Sequence, residues 1–239
     1  MEIRADDPAA VAVTSAIRSG DVEALKRLLT ETPDLAGAWI TDDRGSVRSL
    51  LHVAADWPGH FPNGAAMVAA LIAAGADANA SVNGPQNSRE TPLHWAASSD
   101  DVAVLDALLD GGADIEAPGA IFTGGSPMSD AVVFAQWNAA RRLLERGAQT
   151  TIWQAAALGL LERVEELSFG SPTIDEITNA FWHACRGGQL RTAELLLERG
   201  ANVNWIGHDH KTPLDVAVES GAEELVQWLR GRGGKRAGS

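Results

Sequence analysis

The chain has 239 residues, 45% of them apolar and 21% charged, and its 19 basic against 32 acidic side chains give a net charge of −13. Such an acidic surface repels phosphate backbones, so nucleic acid is not expected as a partner, whereas a basic protein patch or a cationic ligand suits it. No apolar run approaches the roughly eighteen residues of a membrane span, residues 1–8 lack the pattern of a signal peptide, and the single Cys185, expected buried, excludes an internal disulfide and fits a reducing cytoplasm.

In chain order, the first periodic segment begins near Val11, and its second half sets Val22, Leu25, Leu28 and Leu29 against Asp21, Glu23, Lys26 and Arg27. That spacing predicts an amphipathic helix with one wet side. Ser49-Leu50-Leu51-His52-Val53-Ala54-Ala55 opens a second segment that closes on Gly75-Ala76-Asp77. Between its halves, residues 56–64 carry Trp57, Pro58, His60, Phe61 and Pro62, a stiff aromatic loop that either packs on its own helices or forms a binding lip. A polar, turn-forming insertion spans residues 80–90. Thr91-Pro92-Leu93-His94-Trp95-Ala96-Ala97 then opens a third segment, with Leu105, Leu108 and Leu109 ahead of Gly112-Ala113-Asp114. After a connection over 116–125 come Ser126-Pro127-Met128-Ser129-Asp130-Ala131 and the closure Gly147-Ala148-Gln149. From 150 to 179 the rhythm breaks. Thr173 and Glu176 have capping-box spacing, which predicts a lengthened helix from there to about Arg186. Gly200-Ala201-Asn202 and Thr212-Pro213-Leu214-Asp215-Val216-Ala217 restore the pattern, Leu225, Val226, Trp228 and Leu229 form a last stripe, and residues 234–239 read as a flexible basic tail.

The distance from opening to closing glycine is 21 in three segments, 91 to 112, 126 to 147 and 179 to 200. Each feature has a physical cause. Thr or Ser before proline starts a helix, because the hydroxyl caps a free N–H and proline at the first helical position has none to lose. Small alanines let helices approach closely, and glycine ends the second helix in a left-handed turn. A pair of short helices cannot bury its leucine stripe alone, so pairs must stack.

These openings and closures resemble the ankyrin repeat, whose pattern begins Thr-Pro-Leu-His-x-Ala-Ala and ends Gly-Ala-Asp. The resemblance covers nearly the whole chain and implies an all-α solenoid of about seven helix–turn–helix units, starting near residues 11, 49, 91, 126, 150, 179 and 212. It implies a single domain over residues 1–233, with short β-hairpin fingers that are missing around the fifth and sixth units, where a pocket is expected to open. It implies a structural role for His52 and His94, hydrogen-bonding between adjacent units. It also places the fifth and eighth residues of each unit on an exposed concave surface, and these include Asp56, Trp95, Ser98, Asp130, His183 and Arg186. Trp205, His208, Asp209 and His210 on the last finger complete the expected partner-binding set.

The expected function is non-catalytic: a protein partner held in the concave groove. The alternative is a small-molecule or enzymatic pocket in which Asp130 and His183 do acid–base work beside Trp95 and Arg186. No phosphate-cradling loop, nucleophile elbow or metal-ligand cluster supports catalysis. His208 and His210 flank Asp209 without a third fixed ligand, so the finger reads as a polar turn and neither metal nor cofactor is expected.

Overall fold

A computed structural model describes residues 1–82 and 89–238; most of the insertion at 80–90 therefore lies outside the described residues. Among them, fourteen α-helices fall into seven pairs. The chain divides into two compact units, Met1–Ala148 and Gln149–Ser239.

The first unit holds four pairs: α1 (Pro8–Ser19) with α2 (Val22–Glu31), α3 (Leu50–Ala55) with α4 (Gly64–Ala73), α5 (Pro92–Ser98) with α6 (Val102–Asp110), and α7 (Pro127–Val133) with α8 (Trp137–Glu145). The second unit holds α9 (Ile152–Leu158) with α10 (Leu161–Ser168), α11 (Ile174–Arg186) with α12 (Leu190–Glu198), and α13 (Pro213–Glu219) with α14 (Glu223–Gly231). Within each unit, first helices pack on first helices in chain order, α1 on α3 on α5 on α7 and α9 on α11 on α13. The helix starts follow the expected chemistry. Ser49 caps α3, Thr91 and His94 form a capping box on α5, and Thr173 and Glu176 form one on α11. α11 runs to Arg186 and has 13 residues, against 7 in α5 and α7.

Leucine stripes and alanines make the core of each unit. Leu51, Leu71, Leu93, Leu105, Leu108 and Leu143 are fully buried in the first, and Val164, Phe181, Leu196 and Leu229 in the second. The two histidines at the fourth repeat place are buried and span from one pair to the return of the next finger. His94 Nδ1 accepts the Thr91 backbone N–H (3.1 Å), so its Nε2 carries the proton that reaches the Gly125 carbonyl at 3.3 Å. His52 reaches the Glu90 carbonyl in the same manner at 3.2 Å. Trp182 takes this place in the second unit, its indole N–H donating to the Lys211 carbonyl at 2.9 Å.

The fingers are short. Strand pairing among the described residues is confined to the first, where β2 (Trp39–Thr41) and β3 (Val47–Ser49) are antiparallel. An unforeseen third strand, β1 (Glu2–Arg4), runs parallel to β2, with Ile3 opposite Ile40. In two later fingers a backbone bond joins the described ends, Val82 N–H to Glu90 O and Gly207 N–H to Lys211 O. No finger separates α10 from α11. In the basic tail, Lys235 N–H donates to Asn204 (2.7 Å) and Ala237 N–H to Asp215 (2.9 Å).

Candidate functional site

In the first unit, α5, α7 and the connection over 116–125 bring together residues that were far apart in the chain. Trp95, half-buried on α5, donates its indole N–H to a carboxylate oxygen of Glu90 at 3.3 Å. The Ile121 backbone N–H also serves the Glu90 carboxyl, and the Asp130 carboxyl lies within hydrogen-bonding reach of it. Asp130 was expected on an exposed concave surface. It is instead 1% exposed, and its Oδ2 has no hydrogen-bond partner among the described residues.

Two carboxyls in contact, one buried and one half-buried, cannot both ionise cheaply, so they hold one proton between them. Their surroundings decide which keeps it. Glu90 receives two N–H groups and is the better stabilised anion, though burial still raises it above the usual range. Asp130 has desolvation and the Glu90 charge against ionisation and is pushed up to about 8. At neutral pH, Asp130 is therefore the donor and Glu90 the acceptor.

Beside this pair lies apolar surface. Phe134, one turn beyond Asp130 at the end of α7, is 42% exposed, and Phe122, next to Ile121, is 59% exposed. Their ring centroids are 5.9 Å apart. Ser98, half-buried, spends its hydroxyl on the Trp95 carbonyl at 3.0 Å. Asp56 is no free acid: it pairs with Arg48 at 3.0 Å and Arg18 at 3.4 Å. Those arginines, with Thr14, Ser15, Ile40 and Val53, line a cleft of about 350 Å³. The loop over 56–64 is anchored to its neighbours, His60 N–H to Asp101 (2.6 Å) and Asn63 to the Gly20 carbonyl (2.9 Å), and leaves Trp57 79% exposed.

The second unit gathers a different set. His183, also expected to be exposed, is 4% exposed because rings from three segments close over it. Trp153 stands 4.6 Å from it, Trp182 5.0 Å and His208 5.5 Å. Burial keeps its imidazole neutral, down to about 3, and its Nδ1 is without a partner among the described residues. Arg186 lies over the Trp182 ring at 5.9 Å, and Trp205 meets His208 edge-on at 5.9 Å. Exposed His208, Asp209 and His210 form a tight turn with Asp209 and His210 at positive φ, and His208 Nε2 contacts Asn179 Oδ1 at 3.1 Å. Among the described residues no three His, Cys, Asp or Glu side chains converge to hold a metal. Cys185 is fully buried, and burial raises its thiol far above the reactive range.

Asp130 and His183 thus belong to different units, each with its own surroundings. Sequence reasoning singled out Trp95 and Asp130 but passed over Glu90, Phe122 and Phe134. Glu90 stands immediately before the Thr91 cap, where the finger returns to the helix, and that position was the available signal.

A family model described as ankyrin repeats in three copies matches residues 51–153 and 152–236. The chain is 28% identical over 155 residues to the ankyrin repeat and KH domain-containing protein mask-1 of Caenorhabditis elegans, a match that covers 63% of this chain and 5% of the relative's length. Its fold is similar to that of the human ASB11 ankyrin repeat domain, with a TM-score of 0.53 and 22% identity over 91% of this chain and 96% of that one.

Proposed function

Because this chain belongs to the ankyrin-repeat family, whose domains are in general protein-interaction modules, we propose that it is a non-catalytic recognition module whose first unit grips a protein partner. The proposed contact surface comprises Trp95, Phe122 and Phe134, with Glu90 and Asp130 between them. The observation that carries this reading is the contacting pair Phe122 and Phe134, two large aromatic rings tilted against each other and left 59% and 42% in water. Scattered apolar residues on a surface need no explanation, but paired aromatics beside a half-buried tryptophan, a half-buried Glu90 and a buried Asp130 have the composition of an interface hot spot. The acidic pair and the net charge of −13 favour a partner that presents basic side chains. His208, Asp209, His210 and Trp205 in the second unit are a second set of contacts in this proposal. One buried cysteine and no helix long and apolar enough to cross a membrane among the described residues agree with work in the cytoplasm.

The test is quantitative capture from the native lysate with the wild type, a Phe122→Ser/Phe134→Ser double variant and a Phe169→Ser control, since Phe169 is 84% exposed in the other unit. The double variant should lose partners that the control retains. Equal capture by all three would end the proposal.

A further inference from the structure

The Asp130 carboxyl is an anomaly that the fold does not require. Val53, Trp95, His183 and Val216 hold the matching place on other first helices, and a carboxyl with a buried oxygen lacking any donor costs stability unless something repays it. Its neighbours narrow down what could. Glu90 Oε2 accepts the Trp95 indole N–H at 3.3 Å, the Ile121 N–H serves the same carboxyl, and among the described residues no basic side chain is paired with either acid. The surrounding titratable groups are directed elsewhere. His52 on α3 and His94 on α5 are neutral and bonded to backbone carbonyls, and Arg142 and Arg146 on α8 are paired with Asp106. Arg89 and Glu116 in the flanking segments are exposed, and the charge acting on Asp130 is that of Glu90.

We propose that Glu90 and Asp130 form a cation-exchanging subsite: the free protein holds one proton between the two carboxyls and releases it when the ammonium group of a lysine side chain enters against Trp95. The arrangement fits the chemistry. An ammonium carries three donors, enough for Glu90 and for the orphaned Asp130 Oδ2, and the indole face favours a cation close by. The balance closes: a singly charged pair and a monocation become a complex of two carboxylates and one ammonium, and one proton passes to solvent. Affinity must then rise with pH for as long as the free pair is protonated and the bound pair is not. The high value of Asp130, about 8, puts that window at and below pH 8.

This inference rests on the proposed recognition face, but its test does not need the partner. The probe is n-butylammonium chloride, with n-butanol as the neutral control. Binding is read from the Trp95 indole N–H resonance, assigned by its loss in Trp95→Phe. For the wild type, the affinity for n-butylammonium should tighten roughly tenfold or more between pH 6.5 and 8.5, while n-butanol leaves the resonance unmoved. In Asp130→Asn, which keeps an amide able to donate to Glu90, the pH dependence should vanish. The proposal is overturned by a pH-independent affinity, by an equal response to n-butanol, by an unchanged profile in Asp130→Asn, or by no saturable shift. None of these would touch capture through Phe122 and Phe134, so failure here leaves the recognition face standing.

Discussion

Replacing Asp130 by asparagine should change the pH profile of stability in a direction set by its buried carboxyl. In the folded chain that carboxyl is raised from its ordinary 3.8 to about 8 by desolvation first and by the Glu90 charge second. A folded value above the unfolded one means that the stabilising contribution is complete below pH 3.8 and is lost as pH rises through 8. Over the whole window the loss amounts to at most about 6 kcal/mol, of which about 2 kcal/mol falls between pH 6.5 and 8. Histidine works in the opposite sense. His52 and His94 are lowered by burial to about 4 and His183 to about 3, so their contribution is complete above 6.5 and is lost as pH falls toward 4. The wild type should therefore be most stable near pH 6.5 and weaken on both sides. Urea denaturation followed by circular dichroism at pH 5, 6.5 and 8.5 measures this directly. Asp130→Asn should keep the acid limb and lose the alkaline one. Parallel curves for the two proteins across pH 6.5 to 8.5 would refute the reasoning.

Core and turn positions make further predictions. Leu196→Ala removes a fully buried side chain and should cost about 2–5 kcal/mol, whereas Glu198→Ala, exposed two residues on, should stay within about 0.5 kcal/mol in the same denaturation assay. Gly187→Ala places a methyl group against the Ala157 carbonyl and should lower stability by about 1–3 kcal/mol; an unchanged melting temperature would count against the close approach of α9 and α11. Phe122→Ser/Phe134→Ser removes water-exposed rings only and should leave the melting temperature within a few degrees of the wild type.

The pairing of helices was legible because its causes are local. Thr91-Pro92 starts a helix, Gly112 ends its partner, and Thr173 with Glu176 marks a lengthened one, all within a few residues of one another. What escaped the sequence was non-local. Three residues, Glu2, Ile3 and Arg4, carry no strand signal of their own and become a strand only because the edge of Trp39–Thr41 is available. Repeat position put Asp130 and His183 on the exposed surface, but rings and carboxyls supplied by other segments cover them. Glu90 and Asp130 are separated by two helices, and nothing in either neighbourhood announces the other. Trp95 was picked out by its place in the repeat, whereas Phe134, just past the end of α7, sits at no position that the repeat marks.

Recognition through the first unit is tested most directly by photo-crosslinking in the native lysate, with p-benzoylphenylalanine placed at 122 in one protein and at 169 in another. Both positions are exposed, at 59% and 84%, and they lie in different units. A discrete adduct formed from 122, absent from 169 and suppressed by Trp95→Ala, is the predicted result; the same adducts from both positions, or none from 122, would contradict it.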